Sequence, residues 1–113
     1  MTVNVTAHTS GGVTTARIEG EITSTTASGV QERLLSLLGG AGRLLIDFSG
    51  VSYISSAGLR MLLILYRRAE QAGTGIALGG LSNEVQFVMS ATGFLGFFEI
   101  TDDLESETGR VRP

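Results

Sequence analysis

The sequence predicts one α/β sandwich with the element order β-β-α-β-α-β-α-β. Three observations predict it. Two short stretches near the N-terminus alternate apolar and polar residues around Gly11–Gly12, as half-exposed strands do. Leu44 to Phe48 is a nearly unbroken apolar run of the kind a strand shows when both faces are covered. Between and after these lie segments with apolar residues at helical spacing, each closed by glycine. Strands alternating with helices imply parallel pairing after an opening antiparallel hairpin, and so a mixed sheet.

The elements follow in order. Val3, Val5 and Ala7 alternate with Asn4, Thr6 and His8, and Gly11–Gly12 makes the turn. Thr14, Ala16 and Ile18 alternate with Thr15, Arg17 and Glu19 in a second strand ending near Gly20. Ser24–Thr25–Thr26 is a cap cluster for a helix bearing Ala27, Val30, Leu34, Leu37 and Leu38, stopped by Gly39–Gly40. Arg43 to Phe48 is the third strand. The serine pair Ser55–Ser56 opens a helix from about Ser56 to Ala72, ended by Gly73 and Gly75. On a wheel, Leu59, Leu62, Leu63, Tyr66 and Ala69 form its core arc. Arg60, Arg67, Arg68 and Gln71 lie opposite, with Ile64 among them and Met61 at the edge. Ile76 to Leu78 is a short strand. Ser82 caps a third helix with the face Val85, Val88, Met89 and Thr92, closed by Gly93, and Phe97 to Ile100 is the last strand. Residues 1–104 form the single domain and 105–113 a polar tail.

Composition narrows the function classes. At 113 residues, 42% apolar and 17% charged, the chain builds one globular core. A net charge of −3, with arginine as the sole basic residue type and no basic stripe, argues against nucleic acid as partner. The absence of cysteine excludes disulfides and thiolate metal sites. The N-terminus lacks the pattern of a signal peptide, and the longest apolar stretch, Met61 to Tyr66, is far too short to span a bilayer. The expectation is a soluble, cytoplasmic protein without contact to a membrane.

Catalytic equipment is missing. Gly73 to Gly80 has Leu78 where a dinucleotide fingerprint needs its third glycine, and it precedes a strand instead of following one. Without lysine no phosphate-binding loop of the Walker type is possible. His8, the single histidine, falls on the polar side of the first strand, and nothing in the pattern assembles it with Ser56 and Asp47 as a triad. Glu19 and Glu21 read as solvated surface carboxylates, and the acids of residues 102–107 lack the spacing of a calcium loop. No catalytic residue, metal or cofactor is expected.

The serine pair remains. A helix start accommodates a phosphate dianion readily, so a hydroxyl there can act either as a cap or as a modification site. The run from Leu44 to Leu62, LLIDFSGVSYISSAGLRML, resembles the signature of STAS domains of the bacterial anti-sigma-factor antagonist family. Ser55–Ser56–Ala57–Gly58–Leu59 stands where the family has a D-S-S-G-L-type motif at a helix start. Residues 16–22, ARIEGEI, and 91–100, ATGFLGFFEI, are similar to two further family segments, and the likeness spans about Val3 to Leu104. Ser55 and Thr23 replace aspartates of the family pattern.

The resemblance implies a STAS-type sandwich and a non-enzymatic partner switch. Its partners would be an anti-sigma factor that is itself a serine kinase, and a resetting phosphatase. Ser56 would accept the phosphate, with Ser55 as alternative acceptor. Thr23, Ser55, Gly58, Arg60, Met61 and Ile64 would supply the partner-binding surface, in a protein that is monomeric or weakly dimeric. The alternative within the same fold is an unphosphorylated docking subunit of a signalling assembly or of a lipid or anion transport complex, in which the serine only caps the helix.

Overall fold

The computed structural model describes residues 3–39 and 42–101. The opening hairpin joins β1 (Asn4–Ser10) to β2 (Val13–Glu19) in antiparallel register from Asn4↔Glu19 to Ser10↔Val13. Gly11 and Gly12 have φ values of 59° and 81°. A two-residue hairpin of this hand needs both in the left-handed region, which is why the turn is Gly-Gly. Thr14, Ala16 and Ile18 point into the core, as the alternation predicts.

The remaining strands are β3 (Arg43–Gly50), β4 (Gly75–Gly79) and β5 (Glu99–Thr101), each parallel to its predecessor in the spatial order β1-β2-β3-β4-β5. Helices α1 (Ala27–Leu35), α2 (Ser56–Ala72) and α3 (Asn83–Ala91) are the crossovers. Each connection advances one strand in the same direction, so right-handed crossovers place all three helices on one face. One cluster of buried side chains unites them: Ala16, Ile18, Leu44, Ile46, Phe48 and Leu78 from the sheet, with Val30, Leu34, Leu62, Leu65, Val85 and Met89 above. β3 is buried on both faces, since Leu45 and Asp47 point away from the helices and are also covered. The sequence reading of the fold class is met: a mixed α/β sandwich opened by a hairpin.

Local differences have physical reasons. No side chain caps α1. Thr26 sits at its N-cap position, but its hydroxyl accepts from the Thr23 N–H (2.8 Å) and donates to the Glu21 carbonyl (2.8 Å), tying the preceding loop together. α1 stops at Leu35, and Leu37 and Leu38 sit half-buried in the turn that follows. Phe97 lies in a 3₁₀ turn, Phe94–Phe97, so the last strand begins at Glu99. That turn brings Phe97 and Phe98 to Tyr66, with ring centroids 5.6 and 5.7 Å away. Thr92 is exposed; its hydroxyl donates back to the Val88 carbonyl instead of packing.

The buried stripe of α2 is rotated relative to the sequence wheel. It comprises Gly58, Leu59, Met61, Leu62, Leu65 and Ala69, while Leu63 and Tyr66 are only half-buried. α1 packs along α2 while the sheet lies beneath, so the covered arc is set by two neighbours and centres on Leu65. Met61 is therefore a core residue, 1% exposed, and does not belong to any surface. The tail 105–113 and the domain end at 104 lie outside the described residues.

At the edge of the sheet Arg43 grips Glu99 with both guanidinium nitrogens, at 3.2 and 2.6 Å. Hydrogen bonding to Arg43 and its positive charge hold the Glu99 carboxyl below the usual glutamate range. A carboxyl lowered in the folded state contributes stability above pH ~4.5 and loses it as pH falls through the lowered value. Glu99→Gln should therefore flatten this part of the acid limb of stability, measured as urea midpoints against pH. An unchanged limb would show that the pair contributes nothing, the common result for exposed ion pairs.

Candidate functional site

The start of α2 is held by the loop from Gly50 to Ser55, and that loop is laced to the segment following β2. Gly20 N–H donates to the Gly50 carbonyl (3.1 Å), Ile22 N–H to Tyr53 (3.0 Å) and Ser55 N–H to Ile22 (2.8 Å). Ile22 and Ile54 form an isolated parallel bridge between the two segments. At the exit of β3, Asp47 fixes the turn: its Oδ1 accepts from the Ser49 N–H (2.9 Å) and Oγ (2.6 Å), and Oδ2 accepts from Arg17 (3.1 Å).

The two serines sit in different settings. Ser55 is the N-cap, with extended backbone, and its Oγ accepts from the Gly58 N–H at 3.2 Å. Ser56 is the first helical residue, exposed, and its hydroxyl has no hydrogen-bond partner among the described residues. α2 has no acidic residue in its first turn, so the free N–H groups there meet no carboxylate of the helix itself. Arg60 is exposed four residues on, on the same face as Ser56 and one turn along.

Of the other sequence-predicted contact residues, Ile64 is half-buried on the flank of α2 and Thr23 is half-buried beside the Ile22–Ile54 bridge. The Thr23 hydroxyl already bonds Thr25 (2.9 Å) and Thr26 (3.3 Å). Two residues fall outside the surface. Met61 is in the core, as described above. Gly58 is buried, and a Cβ there would come within 2.6 Å of Ile54 Cγ1 and 2.7 Å of Ile22 Cγ2. Its missing side chain admits the two isoleucines of the laced loop and leaves no room for a visiting backbone.

The sequence reading missed the apolar surface beside the serine. Tyr53, three residues before Ser56, is 50% exposed. With Ser52, Ile54, Glu84, Val85 and Val88 it lines a shallow groove of about 210 Å³ between the loop and α3. Phe87 on α3 is 72% exposed. An aromatic residue in a polar loop, and a phenylalanine off the Val85/Val88/Met89 stripe, were the available signals. Among the described residues no group of three His, Asp or Glu side chains could hold a metal ion, and no helix is long and apolar enough to cross a membrane.

The geometry agrees with what known proteins show. The STAS domain family model matches residues 4–107. The chain belongs to the STAS domain family. A Bordetella bronchiseptica protein, BtrV, assigned provisionally as an anti-sigma factor antagonist, is 29% identical over 96 residues, covering 84% of this chain and 83% of that protein. The crystal structure of an anti-sigma factor antagonist from Mycobacterium paratuberculosis superposes with a TM-score of 0.83, at 22% identity, over 93% of this chain and 90% of that one. The Bacillus cell fate determinant SpoIIAA in its phosphorylated form gives 0.70 at 17% identity, over 92% of this chain and 95% of that one. At these identities the two structures speak for the STAS fold itself.

Two stability outcomes follow from the site. Ser55→Ala removes the cap and should lower stability by about 1 kcal/mol, whereas Ser56→Ala should change it by less than about 0.5 kcal/mol, both read from urea unfolding. Gly58→Ala should lower stability by roughly 1–3 kcal/mol, because neither Ile22 nor Ile54 has space to retreat. A neutral Gly58→Ala would refute the packing role given to this glycine.

Proposed function

We propose that this STAS protein is an anti-sigma factor antagonist whose association with an anti-sigma factor is switched by phosphorylation of Ser56. The observation that carries the reading is the division of labour at the start of α2: Ser55 is occupied as cap, and Ser56 presents an exposed hydroxyl with no partner among the described residues. The likeness to BtrV supports the class of function.

The charge arithmetic supports a switch in binding and not in folding. A phosphoryl group adds about −1.5 to −2 charge at neutral pH. In the isolated protein it would sit in water at a helix N-terminus, a placement worth about 0.3–1 kcal/mol in its favour. Arg60, one turn along, adds a positive charge on the same face. In a complex that covers the start of α2, the same dianion must be stripped of water or paired, and a partner surface built for a neutral hydroxyl does neither. The apolar Tyr53 and the groove toward α3 are the adjoining surface such a partner would cover.

The partner in this reading is an anti-sigma factor that is also the serine kinase, with a phosphatase restoring the hydroxyl. The test is incubation with the kinase and ATP, followed by intact-mass measurement and titration of complex formation. Incorporation of one phosphate, lost in Ser56→Ala and retained in Ser55→Ala, is expected, with binding weakened at least about tenfold by the modification. Incorporation that survives both substitutions together would overturn the site. Tight association with no incorporation would favour the docking-subunit reading.

A further inference from the structure

The two edges of the sheet are built differently. β5 is three residues long and carries Glu99, two devices that keep an edge from pairing. β1 is seven residues long, Asn-Val-Thr-Ala-His-Thr-Ser, and has no proline, no lysine and no carboxylate. Its register with β2 runs without a bulge from end to end. None of the usual protections of an edge strand is present.

The direction of its free hydrogen-bonding groups is fixed by the hairpin. The two-residue turn makes Ser10 and Val13 a hydrogen-bonded pair, and such pairs alternate along an antiparallel ladder. Asn4, Thr6, His8 and Ser10 therefore direct their N–H and C=O groups to β2. Val5, Ala7 and Thr9 direct theirs outward. These three positions are symmetric about Ala7. A second β1 strand placed antiparallel with a twofold axis at Ala7 sets Val5 against Thr9, Ala7 against Ala7, and Thr9 against Val5. Every outward donor and acceptor of Val5, Ala7 and Thr9 on both strands is then matched, and no charged residue faces another.

The neighbourhood of the edge fits the same occupant. Between β1 and α1 lies a hollow of about 240 Å³ lined by Val3, Asn4, Val5, Gly29, Val30 and Arg33. Gly29 is exposed, with open space where a Cβ would stand. A strand added beside β1 would turn alternate side chains toward this hollow, so Thr9 of the second copy would stand next to Val5 at its rim. On the other face, Thr6 would lie directly opposite His8 of the second copy.

We infer that β1 is a self-association edge, through which two copies of this chain pair β1 to β1 antiparallel about Ala7 and continue one sheet across the dimer. An isologous contact of this kind closes on itself and does not propagate. β1 lies two strands away from β3, which leads to Ser56, so pairing leaves the start of α2 accessible, and the inference stands independently of the phosphorylation reading.

The test is sedimentation of the full chain at rising concentration. The expected result is a mass moving from monomer to dimer and no further. Ala7→Pro deletes the central outward N–H without touching the β2 ladder, and should raise the dimer dissociation constant by about tenfold or more. Because proline could also disturb the strand, a second pair of variants decides. Thr6→Lys with His8→Lys places like charges opposite each other, as does Thr6→Glu with His8→Glu, and each should be monomeric alone. Mixed, the two should form a heterodimer. A wild-type chain that stays monomeric throughout would overturn the inference. So would a dimer that both charge variants retain, or a mixture that fails to associate.

Discussion

The constraint on which the site depends is the lacing of the β3–α2 loop onto the segment after β2. Three backbone hydrogen bonds, among them those of the Ile22–Ile54 bridge, convert the five-residue connection from β3 to α2 into an extension of the sheet. The lacing fixes the direction in which α2 begins, where a free loop would let its first turn fray. Here the fixing is done by main chain. Gly58 completes it from the helix side, because only a residue without Cβ lets Ile22 and Ile54 close against the first turn of α2. Asp47 completes it from the strand side by holding Ser49 and Arg17 at the point where β3 gives way to the loop.

Much of this was legible in the sequence, for reasons that differ by element. The hairpin could be read because Gly-Gly between two alternating stretches leaves few other solutions. β3 could be read because Leu44 to Phe48 has nowhere to be exposed. The serine pair announced a helix start, yet sequence alone did not say which serine caps it; that needed the Ser55 Oγ contact with Gly58 N–H. The face of α2 was misplaced, since a wheel assumes one covering neighbour. With both the sheet and α1 against the helix, the buried arc turned to take in Met61 and Leu65. Threonines were the poorest guide: Thr26 and Thr92 satisfy main-chain groups outside the roles that spacing suggested, because a hydroxyl bonds wherever the local turn brings a partner.

Gly58 illustrates how one residue type supports two opposite arguments. The resemblance in the sequence places Gly58, two residues after Ser56, among the partner-binding residues. In the structure the same absence of a side chain is filled from within by two isoleucines. The exposed apolar surface in this region lies instead at Tyr53 and the groove toward α3, supplied by residues whose exposure no periodicity reveals. Exposed apolar surface here comes from residues that break the burial pattern, while the residues that obey it build the platform.

The distribution of charge near the start of α2 bears on the proposed switch. Asp47 is committed to Ser49 and Arg17, and the first turn of α2 has no carboxylate. Ser55 and Thr23 are both uncharged, and the nearest charge along the exposed face of α2 is Arg60. Such a setting lets a dianion exist on the free protein with little local repulsion. The energetic penalty of phosphorylation would then fall almost wholly on the complex, where water is excluded. The proposed switch, acting on association alone, needs that asymmetry between free and bound states, and a main-chain-laced helix start without a carboxylate in its first turn would favour it.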